Sequence, residues 1–258
     1  MLAVLALAWL PHSAVASCAK TGFSDAGNVN VQGNAMMIVT HASESYDARL
    51  ASKRGVEQAI RYARSKRMPL IYLADDGDAS PGRFYIDDCH PSHWVYSKDG
   101  EIAFDVRAAH LYIVGGHLEV CLLNSLQDVI SRWAQQPRQD RTITYFMDGI
   151  YSNGREIAQS DPYHKDYVHF INVVSYGRPH AEAWPKLTLL ETMGLIVNER
   201  RQLEYAQRIL PFYQRLLPAA YRVEIKLNNS PPKVLQRGSG ERPPVMRFEF
   251  IDSALPSA

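Results

Sequence analysis

At 258 residues, with 46% hydrophobic residues and a net charge of +1, the chain can bury one full core. Its even charge gives no reason to expect nucleic acid or an anionic membrane surface as a partner. The three cysteines, Cys18, Cys89 and Cys121, form no CxxC and no Cys/His zinc spacing, so neither a metal nor a cofactor is expected.

The N-terminus opens on LAVLALAWL, Leu2 to Leu10. This run is too short to span a bilayer comfortably and is followed by Pro11, as in the core of a signal peptide. Ala14-Val15-Ala16 suits cleavage before Ser17, whereas Val15-Ala16-Ser17-Cys18 suits a lipobox with Cys18 as the lipidated first residue. The expectation is an exported, periplasmic protein. It is either soluble or held to the membrane through a lipid on Cys18.

Residues 19–34 form a polar lead. AMMIVT, Ala35 to Thr40, is a continuous apolar run suited to a strand buried on both faces. The next segment carries Leu50, Val56, Ile60 and Ala63 at helical spacing, with Ser and Asp near its start as caps. Its basic residues Arg61, Arg64, Lys66 and Arg67 read as a solvated helix end. PLIYLA, Pro69 to Ala74, is a second buried strand ending at Asp75 and Asp76, and the three elements make a βαβ unit.

HWVYSK (His93 to Lys98) and HLYIVGG (His110 to Gly116) are two further strands. From Glu119 the pattern turns helical, with Val120, Leu123, Ile130 and Trp133 on one side. TITYFMD (Thr142 to Asp148) is a fifth strand. A helix around Trp184 to Thr192 then leads into GLIVN, Gly194 to Asn198, as a sixth. Such alternation predicts an α/β fold, a mostly parallel sheet covered on both faces. Its ligands should bind beyond the carboxyl ends of the strands, where Thr40, Asp75, Lys98 and Gly115 to Cys121 fall. Residues 153–179, rich in Tyr and His, read as an insertion. In the tail, residues 204–258, a helix precedes YRVEIKL and VMRFEFI, which suggest a hairpin around a Pro/Gly-rich loop.

Together these segments resemble the isochorismatase-like cysteine hydrolase superfamily. Gly115, Glu119, Val120 and Cys121 fit its cysteine segment, with Leu118 in place of the usual Thr; Ser125 and Asp128 follow where Thr and Asp are common. Lys98 ends an apolar strand, and Ala103-Phe104 follow at the family's offset. The resemblance runs from about residue 35 to 203 and implies a Rossmann-like, six-stranded, three-layer α/β/α fold. It also implies an Asp, Lys and Cys set at the strand ends. The first strand, however, ends in Thr40 and His41 where that family carries its Asp. The interval from Lys98 to Cys121 is also shorter than usual. His90 and His93 only faintly echo the metal pattern of the nicotinamidase branch.

The resemblance therefore makes Cys121 the candidate nucleophile, Lys98 the candidate oxyanion stabiliser, and Thr40 or His41 the occupant of the base position. Asp75, Asp76, Phe104, Gly116, His117 and Leu118 are candidate substrate contacts. A thiolate is favoured in general at a helix start near a cation. Two other readings of Cys121 stand beside this one, a disulfide with Cys89 and a small residue filling the core. Two functions follow. The first is a family member that has lost catalysis and serves the cell envelope as a binding or assembly module, with a small molecule or an envelope protein as its partner. The second is a cysteine-dependent hydrolase of a small amide, ester or related carbonyl compound. A homo-oligomer is compatible with either.

Overall fold

A computed structural model of the chain describes residues 29, 31, 33–43, 45–47, 52–75, 77–78, 92–118, 120–152, 187–195, 199–208, 210 and 213–253. The leader with Cys18, the residues Asp76, Cys89, His90 and Glu119, and the segment 153–179 lie outside the described residues.

Among the described residues the architecture is α/β, a nine-stranded sheet with helices on both faces. The strands are β1 (Ala35–Thr40), β2 (Leu70–Ala74), β3 (His93–Tyr96), β4 (His110–Gly115), β5 (Arg141–Ser152), β6 (Leu187–Thr188), β7 (Arg222–Leu227), β8 (Lys233–Gln236) and β9 (Val245–Ile251). The helices are α1 (Lys53–Ser65), α2 (Cys121–Ala134), α3 (Leu189–Leu195), α4 (Glu199–Arg208) and α5 (Tyr213–Leu216). Strand order is β3-β2-β1-β4-β5-β9-β7-β8, with β6 paired to β5. Every pairing from β3 through β7 along this path is parallel; β6 and β8 pair antiparallel.

The apolar runs of β1 and β2 are buried because both of their faces are covered. On one face lies α1, whose buried stripe Val56, Ala59, Ile60, Ala63 repeats at helical spacing. It packs with Met37, Val39, Tyr72, Val114 and Phe146. On the other, Leu122, Leu126, Val129, Ile130 and Trp133 of α2 join Met36, Ile38, Ile71, Leu73, Leu111 and Ile113 in the larger core. This packing hangs the first turn of α2 over the carboxyl end of β1 and β4.

The tail corrects two expectations. Gly194 and Leu195 belong to the end of α3, not to a sixth strand. The place beside β5 goes to β9, whose Met246 to Ile251 pair with Arg141 to Phe146. VMRFEFI wins that place because it alternates: Met246, Phe248 and Phe250 are fully buried while its backbone completes the β5 ladder. The expected hairpin is likewise replaced. β7 runs parallel to β9, and the antiparallel partner of β7 is β8, from within the Pro/Gly-rich loop. That loop is long enough to carry a parallel connection, which a tight turn is not. Asp148, at the bulged end of β5, accepts hydrogen bonds from the backbone N–H and hydroxyl of Ser253 and so ties down the end of the tail.

Phe250 stacks on Tyr145 at 4.4 Å between ring centres, inclined by 16°. Phe250→Ala should therefore cost about 3–5 kcal/mol of unfolding free energy, read from urea denaturation. A cost under about 1 kcal/mol would show that the tail contributes little to the core.

Candidate functional site

The site assembles at the carboxyl end of β1, β2 and β4, beneath the start of α2. β1 ends at Thr40, and His41 then takes a left-handed backbone, φ 44°. In an extended strand, residues 40 and 41 would point to opposite faces. The left-handed turn breaks that alternation and holds the His41 ring in the interior, 1% exposed. A non-glycine residue in this conformation is uncommon, and where it persists at a site the surrounding contacts must hold it. Here they do. The backbone N–H of His41 donates to Leu73 O, at 2.9 Å, and its carbonyl accepts from Tyr151 Oη, at 2.7 Å.

After β2 the chain turns back through Gly77 and brings Asp78 against this ring. His41 Nδ1 lies 2.5 Å from Asp78 Oδ2. A carboxylate accepts and cannot donate, so Nδ1 carries the hydrogen. Asp78 is wholly buried, and it is held by the Ser43 hydroxyl at 2.6 Å and the Asp75 N–H at 3.0 Å. With Nδ1 engaged, Nε2 is the ring nitrogen left for a further partner. It is buried and stands in hydrogen-bonding geometry with no partner among the described residues. Cys121, the first residue of α2 and a half-buried free thiol, is the other side chain acting on His41. Burial opposes charge on His41. The hydrogen bond to Asp78, the interaction with Cys121 and the negative charge on both outweigh it, pushing the imidazole up to about 10.

Aromatic rings wall this group. Tyr46 meets His41 edge-on at 5.1 Å and His117 at 6.3 Å, and His117 meets Tyr151 at 4.9 Å. Burial, then its hydrogen bonds to Asp75 at 2.8 and 2.9 Å, pushes the Tyr46 phenol well up, so it stays a donor. The turn between β3 and β4 closes the other side. Gly100 has φ +82°, and a Cβ there would stand 2.0 Å from the Cys121 carbonyl oxygen. Ser125 Oγ donates to Gly100 O at 2.6 Å and Asn124 to Asp99 O at 2.9 Å, so the turn is fastened to α2. Gly115 (φ +97°) similarly lets β4 run against the Thr40 carbonyl, where a Cβ would come within 1.8 Å.

The sequence-derived candidates separate accordingly. Thr40, His41 and Cys121 come together, with Gly116 adjacent: its N–H donates to Thr40 O at 2.9 Å. Half-buried His117 contributes an aromatic wall. Asp75 sits beside the group, but its carboxylate is taken up by Tyr46 and by the N–H groups of Gly77 and Asp78. It shapes the turn. Phe104 and Leu118 are buried in the core under α2, among apolar neighbours. Lys98 is exposed on the turn before Gly100 and makes no hydrogen bond or ion pair among the described residues. Asp78, Tyr46 and Tyr151 were not among the candidates. The acidic run Asp75-Asp76-Gly77-Asp78 at a strand end was a legible signal, yet which acid turns inward depends on the turn at Gly77.

His41, Asp75 and Asp78 also bring one potential ligand atom each within 4.8 Å of one another, a spacing that could hold a cation. Their oxygens are already met by Ser43, Tyr46, backbone N–H groups and the His41 ring. The two carboxylates and His41 Nδ1 are satisfied within one hydrogen-bonded relay, and they do not fit a metal without dismantling it.

No protein-family model matches the sequence, and no curated protein matches it. Among solved structures the chain is similar to an isochorismatase from Pseudomonas putida: identity is 14%, 55% of this chain and 84% of that one are covered, and the TM-score is 0.37. It is similar to N-carbamoylsarcosine amidase from Thermoplasma acidophilum, at 13% identity, 54% and 92% coverage and a TM-score of 0.35. It is also similar to a nicotinamidase from Staphylococcus aureus, at 16% identity, 56% and 96% coverage and a TM-score of 0.38.

Proposed function

We propose that the protein is a cysteine-dependent hydrolase of a small neutral amide, ester or related carbonyl compound. One observation carries this reading: a buried His41–Asp78 pair faces Cys121 at the start of α2. A nucleophile, a base and a group orienting that base form the constellation that nucleophilic catalysis needs. The acid expected at the position of Thr40 is replaced by a base from the next residue, backed by an Asp from the neighbouring strand end. The reading of a binding module that has lost catalysis rested on that missing acid, on the short interval from Lys98 to Cys121 and on the added segments; the His41–Asp78 pair speaks against the first of these.

In the first step Cys121 Sγ attacks the carbonyl carbon as thiolate, its proton residing on His41. A C–S bond forms, and the carbonyl electron pair moves to oxygen, where the backbone N–H of Cys121 at the start of α2 receives it. Collapse of this adduct expels the leaving group, which takes the His41 proton and departs as amine or alcohol. Acylation removes the negative charge of Cys121, one of the groups that hold the His41 proton. The ring is then free to accept a proton from water, whose oxygen attacks the thioester. The C–S bond breaks, the carboxylic acid leaves, and Cys121 and His41 share the returned proton.

The test compares wild type and Cys121→Ala on a panel of small amides and esters, beside the rate of iodoacetamide alkylation of Cys121 in wild type. The expected result is turnover lost completely in Cys121→Ala and alkylation at pH 7 at least tenfold faster than that of free cysteine. A thiol no faster than free cysteine, with no turnover on the panel, would overturn the proposal.

A further inference from the structure

The proposed chemistry assigns no task to Thr40, yet its hydroxyl, like His41 Nε2, is buried without a hydrogen-bond partner among the described residues. Thr40 as a whole is fully buried. A buried hydroxyl left in this state is expensive, and native chains rarely keep one without a use. Valine would fill the same space and suit the strand better. Its place in β1 says where the hydroxyl lies. Met36 and Ile38 sit in the core beneath α2, and alternation along the strand puts Thr40 on that same face, at the end nearest Cys121. Gly115 stands opposite it on β4 and brings its backbone against the Thr40 carbonyl.

We infer that Thr40 is a substrate-contacting residue of this site, its Oγ1 hydrogen-bonding a polar atom of the bound amide or ester next to the carbonyl attacked by Cys121. This rests on the hydrolase reading above and deepens it. A hydroxyl both donates and accepts, so it can meet the nitrogen or oxygen of the leaving group as well as a carbonyl oxygen. It carries no charge, which suits a neutral substrate in a group already holding Asp75 and Asp78. A residue of this kind discriminates strongly, because a ligand lacking the matching polar atom leaves the hydroxyl unpaired again.

The experiment measures Cys121 modification by two reagents of similar size, iodoacetamide, which carries a polar amide, and methyl methanethiosulfonate. The ratio of their rates in wild type, Thr40→Val and Thr40→Ser is divided by the same ratio for free cysteine. The expected result is a wild-type preference for iodoacetamide that falls at least fivefold in Thr40→Val and stays within twofold in Thr40→Ser. The melting temperature of Thr40→Val should be unchanged or raised, because the substitution removes an unsatisfied hydroxyl. The inference is overturned if wild type shows no preference over free cysteine, if Thr40→Val keeps the wild-type ratio, or if it slows both reagents equally. The last result would mean that Thr40 acts on the thiol and not on the ligand. Failure of the hydrolase reading is seen separately, in the panel of small amides and esters, where wild type would show no turnover that Cys121→Ala removes, whatever the ratio.

Discussion

Asp78→Asn is expected to lower turnover, and the alkylation rate of Cys121, by roughly 10²–10⁴-fold while leaving the fold intact. The cause is the tautomer of His41. In wild type the carboxylate accepts the Nδ1 hydrogen at 2.5 Å, which leaves Nε2 to exchange a proton with the thiol. An Asn amide can turn its NH2 toward Nδ1, which then becomes the acceptor, and the hydrogen is fixed on Nε2. The ring can no longer take the thiol proton. His41→Ala should cost at least as much.

The same variant has a second signature, in stability. His41 is raised from its usual 6.5 to about 10 in the folded protein, so between these values the folded state holds a proton that the unfolded state has lost. That contribution is fully present below about pH 6.5 and is lost as the pH rises through about 10. The slope is at most one proton, about 1.4 kcal/mol per pH unit. Asp78→Asn removes the hydrogen-bonded carboxylate that holds the proton, so its unfolding free energy should decline less steeply over that window. Urea midpoints from pH 6.5 to 10 for both proteins measure this. Parallel curves would mean that the proton is not held by Asp78.

Gly100→Ala carries the second large effect. At φ +82° an alanine is strained, and its Cβ would lie 2.0 Å from the carbonyl oxygen of Cys121, a backbone atom that no rotamer change can move. Either the turn or the first turn of α2 must shift, although Ser125 and Asn124 tie them together. The expected loss is roughly 2–4 kcal/mol, together with slowed alkylation of Cys121, because the thiol sits on the turn that moves. An unchanged urea midpoint would sink this account of how α2 is positioned.

Much of the molecule was legible in its sequence. The apolar runs of β1 and β2, the period of α1 and the strand-Gly-Gly-helix passage into Cys121 carry their own local signals, since burial on both faces demands an unbroken apolar run and burial on one face a period. Thr40, His41 and Cys121 could be singled out because they stand where strands end. GLIVN misled because a short apolar run reads equally well as a strand or as the end of a helix.

What the sequence by itself determined is the α/β plan and the residues available at one edge of the sheet. Only the tertiary structure decided which of them meet. Asp78 reaches His41 through the turn at Gly77, β9 joins β5 from more than a hundred residues away, and Lys98 is left outside. Such pairings depend on which backbone completes a hydrogen-bond ladder and which acid a turn carries inward, and neither leaves a periodic trace in the chain.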